Sequence, residues 1–508
     1  MTSGSRNVSS LHDASDPFGA GSSSNATSSS RARAGSSSSA HTRIPAGPSS
    51  ASSVGWPASP GMPLGITTPS AAGAPRRWRI PPRFIAAALD SHSAIGLALS
   101  ALIYLICFTG TLSVLVDELK LFEQPSPPAV AETAAAWKAH RGTLNTAVTA
   151  VLAHEPLATV IYAVAPTTPR QRLTLTAYGP DGERAFIADA SGSVVPQHTP
   201  FTDFVTGLHM TLTAPAPWGS LIVGIAGAAL LALIISGVLA HPRIFRDAFR
   251  LRLNGSRRLR EAELHNRLSV WGLPFHIAVT LSGALFGLAN LLILTVASLG
   301  YHGDSERVLA PLTGPTIAAD ARPVPLPDLQ LLASRAQSAL PGSHLGYVGV
   351  ERPGTAGTRI TVEVGVSERL PRGEAFYFDA RGREIARGRF LTGPTGLQVY
   401  SGAAQVHFGF FGGLPVRLMY VALGSALTFV TASGFTIWLE RQKERGKPRP
   451  RLRGAWRAWT RGLPAALAAA ALAASVIPVS WTFWTIVLLA QGVALWRGTN
   501  ASAKTAAA

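Results

Sequence analysis

From residue 76 onward the chain resolves into six apolar runs, separated by polar segments of very unequal length. The runs lie at roughly 94–116, 218–240, 268–299, 417–439, 462–478 and 482–497. A helix needs about 20 apolar residues to cross the hydrocarbon layer, so the first four runs predict membrane spans. The last two are short, Ala-rich and separated by "PVS", and they predict a tight helical hairpin. Charge then orients the spans. Arg76, Arg77, Arg79 and Arg83 precede the first run, eight Arg fall within 241–267, and nine Lys and Arg fall within 440–461. Short basic loops stay cytoplasmic. The N-terminus is therefore expected inside, with residues 117–217 and 300–416 outside.

Those two external segments share a signature. "RAFIADASGSVV" (184–195) and "EAFYFDARGREI" (374–385) align as [RE]-A-F-x-x-D-A-x-G. Alternating, strand-like residues precede each ("RLTLTAYG", "RITVEVGV"), and each ends in a turn. A helix-compatible stretch comes earlier in both ("TLNTAVTAVLAHE", "LPDLQLLASRAQSAL"). The expectation is a small α+β module present twice. The chain accordingly divides into a tail at 1–75, a span at 84–116, a module at 117–204 and a lead-in with the second span at 205–240. A basic loop follows at 241–267, then a span at 268–299, the second module at 300–404 and a lead-in with the fourth span at 405–439. A second basic loop at 440–461 and the hairpin at 462–497 complete it.

Composition agrees with a polytopic α-helical membrane protein. Of 508 residues 47% are apolar and only 14% charged, with a formal net charge of +18. The positive excess sits in the short loops, which points to the bilayer rather than to nucleic acid. Residues 1–75 are rich in Ser, Ala, Gly and Pro, cannot bury enough apolar surface to order themselves, and are expected to be disordered. They contain no apolar h-region of a signal peptide. Cys107 is the single cysteine, so a Cys-rich metal site and covalent haem attachment are excluded. Any metal centre must use His or carboxylates.

Histidines mark the repeat inside the membrane part. His92 lies 17 residues before Thr109-Gly110, and His265 lies 17 before Ser282-Gly283. His209, in "GLHMTLTAPAPWGS", lies 27 before Ser236-Gly237, and His407, in "QVHFGFFGGLPVR", lies 26 before Ser433-Gly434. Topology assigns His92 and His265 to the cytoplasmic ends of the first and third spans, and His209 and His407 to the external ends of the second and fourth. One pair is expected on each face. Ionisable residues at membrane depth are costly and usually functional, and neutral imidazole is a common ligand for haem iron and other transition metals. Gly409, Gly412 and Gly413 would leave room for a flat ring, and Phe408, Phe410 and Phe411 would pack against it. His276 falls 11 residues after His265, on nearly the same helical face, and is an alternative ligand, a proton carrier or a packed polar group. His241 in "AHPRIF" is expected to cap a helix end.

The stretches "LDSHSAIGLALSALIYLICFTGTL", "GLHMTLTAPAPWGSLIVGIAGAALLALIISGVL", "LHNRLSVWGLPFHIAVTLSGAL" and "VHFGFFGGLPVRLMYVALGSALTFVTASGFTIWLERQ" resemble the PepSY-associated transmembrane family over roughly 84–445. The resemblance implies two PepSY-like periplasmic modules and a bacterial inner-membrane location linked to iron uptake. It also implies two b-type haems, one held by His92 and His265 and the other by His209 and His407. The activity it implies is reduction of a ferric siderophore or other iron(III) chelate outside the membrane. No G-x-G-x-x-G after a strand, no P-loop and no flavin domain is evident, so a cytoplasmic reductase or membrane quinol would donate the electrons. No residue is assigned a direct catalytic role. Two other readings are a non-enzymatic sensor of periplasmic peptides or proteases, and a siderophore or metal permease. The permease would favour carboxylates at mid-membrane, which the central turns of the first four spans lack.

Overall fold

The computed structural model describes residues 81–506, apart from 126–141, 168–171, 242–243, 247, 252–253, 367–368 and 372. The tail expected to be disordered lies outside the described residues. The first half runs α1 (Pro82–Ser113), α2 (Val116–Glu123), α3 (Thr143–His154), β1 (Val160–Val164), β2 (Leu173–Gly179), β3 (Gly182–Ala188), β4 (Val194–Pro196), α4 (Pro200–Thr211) and α5 (Trp218–Ala240). The second half repeats the order. In place of α1 stand α6 (Arg257–Trp271), α7 (Leu273–Gly287) and α8 (Ala289–Gly300). Then come α9 (Ser305–Thr313), α10 (Leu329–Ala339), β5 (His344–Glu351), β6 (Arg359–Gly365), β7 (Gly373–Phe378), β8 (Glu384–Gly388), α11 (Thr395–Phe408) and α12 (Gly413–Glu444). α13 (Pro450–Ala473) and α14 (Val479–Ala506) follow.

Among the described residues four helices are long and apolar enough to span a membrane: α1, α5, α12 and the Val479–Thr499 part of α14. A fifth span is possible only as the broken pair α6–α7, bent by 73° at Gly272. The expected straight span at 268–299 is thus three helices. Gly272 removes the side chain at the first break, and Pro274 follows in the first turn of α7, where its missing N–H costs nothing. α13 falls short of span composition because four Arg occupy its first half. It nevertheless pairs with α14, and both pack on the rest of the bundle. Leu463, Ala466, Leu467 and Phe483 share a buried cluster with Leu105 of α1 and with Phe204, Val205 and Leu208 of α4. Trp459 Nε1 donates to the Ala101 carbonyl and the Tyr104 hydroxyl to that of Thr460.

The two strand-bearing modules are not separate. Their strands form one eight-stranded sheet in the order β4-β3-β2-β1-β5-β6-β7-β8, closed at the centre by the antiparallel β1–β5 pair. Each module alone would present β1 or β5 as an unpaired central edge. Joining the two edges satisfies both rows of backbone groups. Period-two alternation splits the faces. Ile161, Ala163, Leu175, Val348, Val350, Ile360, Val362 and Phe376 pack under α3 and α10 in the main core. The opposite face carries Tyr162, Thr174, Thr176, Tyr347, Thr361 and Tyr377 towards the membrane helices.

The shared Asp-Ala-x-Gly signature shapes the same turn twice. Asp189 Oδ1 accepts from the Ser191 and Ser193 amides, and Asp379 Oδ1 from those of Arg381 and Arg383. Gly192 and Gly382 supply positive φ at the turn. Repeat-equivalent arginines tie the sheet to the membrane connections. Arg172 donates to the carbonyls of Gln124 and Pro125, and Arg359 to those of Thr313 and Pro315. Where α5 crosses the α7–α8 junction, Gly224 and Gly287 bring the backbones together. A Cβ on Gly224 would lie 2.6 Å from the Gly287 carbonyl carbon. Close small-residue crossings of this kind hold membrane helices by van der Waals contact. Gly224→Ala is expected to lower the apparent melting temperature in detergent, at a cost of about 1–3 kcal/mol from overpacking. Gly300→Ala, with nothing within 4 Å, should leave it unchanged.

Candidate functional site

Each of the four repeat-related histidines lies on a neighbouring helix at one kind of position. His92 Nδ1 is 2.9 Å from the Leu233 carbonyl and 3.2 Å from Ser236 Oγ. His209 Nδ1 is 3.0 Å from the Ile106 carbonyl. His265 bonds the Val430 carbonyl, with Nδ1 3.0 Å from Ser433 Oγ. His407 Nδ1 is 3.1 Å from the Val279 carbonyl and 3.0 Å from Ser282 Oγ. In every case the carbonyl belongs to the residue three before the Ser or Thr of the Thr/Ser-Gly step. A carbonyl can only accept, so Nδ1 carries the proton and Nε2 keeps its lone pair.

The glycine of each step is what lets the ring approach. A Cβ on Gly110 would meet His209 Cε1 at 2.5 Å, and one on Gly283 would meet His407 Cε1 at 2.8 Å. Gly237 would meet His92 at 3.2 Å and Gly434 would meet His265 at 3.5 Å. The steps therefore receive histidines crosswise: α1 carries His92 and receives His209, while α4–α5 carries His209 and receives His92. The second half repeats the exchange between α6–α7 and α11–α12.

The halves then meet ring to ring. His92 and His265 have centroids 6.5 Å apart with planes near perpendicular, and His209 and His407 have centroids 6.2 Å apart and stacked. With Nδ1 engaged on its own half, Nε2 is the nitrogen left for the space between the rings. A hydrogen bond from Nδ1–H to a carbonyl fixes the tautomer and the ring orientation. The pairs sit far apart along α1. His92 and Gly110 are 18 residues apart, about 27 Å at helical rise, close to the ~30 Å apolar layer.

A cavity of about 2000 Å³ joins the second pair to the sheet. His209, His407, Gly110 and Gly283 line its membrane end, and Tyr162, Tyr347, Arg359 and Tyr377 its sheet end. Outside the membrane, burial pushes the Tyr377 phenol up to about 12, opposed by Arg359, whose guanidinium stands over the ring 5.6 Å from its centroid. The Tyr377 phenol stays a neutral donor at physiological pH. Glu123 accepts from the Phe201 and Thr202 amides and so holds the N-terminus of α4, the His209 helix. Arg417 of α12 bonds the Val114 carbonyl and pairs with Glu118, fixing α12 against the end of α1.

Some expected roles change. Gly409, Gly412 and Gly413 all have positive φ and form the turn between α11 and α12. Room beside His407 comes from Gly283 instead. Phe408 packs edge-on to His407 with centroids 5.2 Å apart, whereas Phe411 packs on Tyr420. His276 is brought to neither pair. The bend at Gly272 breaks the helical face it would have shared with His265, and it bonds the Leu423 carbonyl. His241 ends α5 with Nδ1 3.1 Å from the Gly237 carbonyl, a helix cap. Among the described residues no group of three or more His, Cys, Asp or Glu converges.

The fold and these pairs define a polytopic membrane protein, built from two halves around paired histidines. The chain matches the PepSY-associated TM region family over residues 89–441 and belongs to that family. It is also similar to Uncharacterized protein PA4219 of Pseudomonas aeruginosa, 28% identical over 267 residues, covering 50% of this chain and 67% of that one.

The glycine steps give a graded expectation. Gly110→Ala, whose Cβ would overlap the His209 ring, should cost about 1–3 kcal/mol. Gly434→Ala, in ordinary contact distance of His265, should stay within about 0.5 kcal/mol. Apparent melting temperatures of the purified variants check the order.

Proposed function

We propose that the protein carries single electrons across a bacterial inner membrane between two b-type haem sites, His92 with His265 and His209 with His407. The electrons go to an iron(III) chelate, such as a ferric siderophore, held in the sheet-side cavity. The sheet side is then periplasmic and the Arg-rich side cytoplasmic, in keeping with the positive-inside bias.

The observation that carries this reading is the ring separation. Each pair brings one imidazole from each half close enough for both to be ligands of a single metal ion, were one bound there. The two pairs stand at 6.5 and 6.2 Å. The chemistry of the donor set fits as well: both rings are uncharged imidazoles with the same nitrogen free. Haem held this way supplies one-electron chemistry whose potential follows ligation, hydrogen bonding and burial.

The chain's own residues do the rest. Leu233, Ile106, Val430 and Val279 orient the rings through their carbonyls and keep Nε2 basic. Phe286 and Phe408 flank His407 and exclude water from it. The cavity wall of Tyr162, Tyr347 and Tyr377 offers hydroxyls and ring faces to a bulky chelate beside the outer pair. Iron(II) binds hard oxygen ligands more weakly than iron(III), so the reduced metal leaves its chelator. On the other side a cavity of about 230 Å³, lined by Arg257, Arg453, Arg457 and Arg461, reaches Ser433 beside His265. It suits an anionic part of a cytoplasmic electron donor.

The visible spectrum of the purified protein, oxidised and dithionite-reduced, tests the reading. His92→Ala and His209→Ala should each remove one centre and spare the other, and His276→Ala should remove neither. Absence of a Soret band after expression with adequate haem would sink the proposal.

A further inference from the structure

Four arginines gather around the smaller cavity. Arg257 of α6 and Arg453, Arg457 and Arg461 of α13 line it, together with Glu261. Arg453, Arg457 and Arg461 follow at intervals of four and so share one face of α13 over successive turns. Like charges at that spacing destabilise a helix, and the chain compensates them only in part. Glu440 pairs with Arg453 and lies 3.5 Å from Arg257, and Glu261 lies 3.8 Å from Arg257. Among the described residues no ion pair reaches Arg457 or Arg461. Four guanidiniums therefore stand against two carboxylates, an excess of two positive charges. Burial, and then Arg257, Arg453 and Arg461 as neighbouring like charges, push the Arg457 guanidinium below its ordinary range, against the opposing pull of Glu440.

Charge is not the whole of the lining. Phe429, Ala432 and Leu439 of α12 and Trp456 of α13 form an apolar wall beside the guanidiniums. The volume, about 230 Å³, is below the roughly 300–1,000 Å³ of sites that enclose a drug-sized molecule. It suits the charged part of something larger. The level of the cavity in the membrane follows from α13 itself. The first half of this helix carries all its arginines, while Leu463, Ala466, Leu467 and Ala470 of the second half are buried in the bundle. Trp456 and Trp459 stand among the arginines, as aromatic residues do at the headgroup level of a bilayer.

An anion from a soluble donor or from a lipid would neutralise these groups, and the apolar wall and the headgroup level favour the lipid. We infer that the arginine cavity binds the phosphodiester of an anionic phospholipid, with Arg457 and Arg461 as its main ligands. Arg453 and Arg257 stand beside them on Glu440. Guanidinium N–H groups match phosphate oxygens in pairs, and basic pockets between membrane helices receive anionic headgroups. The apolar wall takes the adjoining part of the lipid. One bound phosphate then bridges α13 to α6 and stabilises the packing of both on α12. The inference is independent of the electron-conduit reading, since it needs no cofactor.

The test uses the full chain, purified in a neutral detergent and stripped of lipid, then titrated with phosphatidylglycerol, phosphatidylcholine or inorganic phosphate. Phosphatidylglycerol should raise the apparent melting temperature and stay bound as one retained lipid in native mass spectra. The other two should do neither. Arg457→Gln combined with Arg461→Gln should weaken phosphatidylglycerol binding about tenfold or more, through loss of charge-assisted hydrogen bonds. Arg441→Gln combined with Arg445→Gln removes the same charge from exposed positions at the end of α12, outside the cavity, and should leave binding unchanged. The inference is overturned if the wild type does not distinguish phosphatidylglycerol from phosphatidylcholine, or if inorganic phosphate gives the same shift. It is also overturned if the Arg457→Gln, Arg461→Gln protein binds phosphatidylglycerol as the wild type does. A shift with polyglutamate but not with phosphatidylglycerol overturns it in favour of a soluble acidic partner. If the double variant does not fold, a photoactivatable phosphatidylglycerol on the wild type decides. Crosslinks on α13 between Arg453 and Arg461 support the site, and crosslinks confined elsewhere overturn it.

Discussion

Everything in the membrane half depends on one contact made four times: an imidazole Nδ1–H on a helix carbonyl, over a glycine. In an apolar bundle a histidine without a partner is expensive, and the carbonyls of a regular helix are mostly spent on its own ladder. A carbonyl has a second lone pair, and it can be reached only where the next turn carries no side chain. The Thr/Ser-Gly step supplies that opening, and the Ser hydroxyl adds a second polar contact at three of the four sites. Because each half holds its own histidines crosswise, the ring orientations are fixed by contacts within each half.

The halves are joined twice by the same kind of symmetry. Outside, β1 and β5 zip two four-stranded modules into one sheet. Inside, the ring pairs bring one histidine from each half together at two levels about 27 Å apart. The sheet's Tyr- and Thr-bearing face closes over one of these levels, which makes that end a chamber. Among the described residues no corresponding sheet covers the other end, where the second cavity is small and rich in arginine. The asymmetry gives the two pairs different surroundings despite their matching hydrogen bonds.

The break at Gly272 is the main departure from repeat symmetry in the membrane. α1 is a single 32-residue helix, whereas its counterpart divides into α6 and α7 with a 73° bend. The bend turns His276 away from the His265 face and leaves its Nε2 buried inside the bundle. A straight helix would have presented both histidines on one side. At the far end of α7, Gly287 meets Gly224 of α5 at close backbone approach.

Apolar runs, basic loops and repeated motifs by themselves determined the number and order of the main elements. They also determined the doubling of the chain and which four histidines form a set, because these depend on periodicity and spacing along the chain. The Thr/Ser-Gly steps were visible as markers of register, but not as receptors, since the histidine each one receives lies 125–168 residues away or, within the first half, 100–144. Tertiary structure decided the crosswise exchange, the single sheet and the bend at Gly272. Each is settled by satisfying backbone groups, edges or close approach between distant segments, and none of these leaves a local pattern. It also decided that Gly409, Gly412 and Gly413 serve a turn, because positive φ is a property of the folded path and not of the residue name.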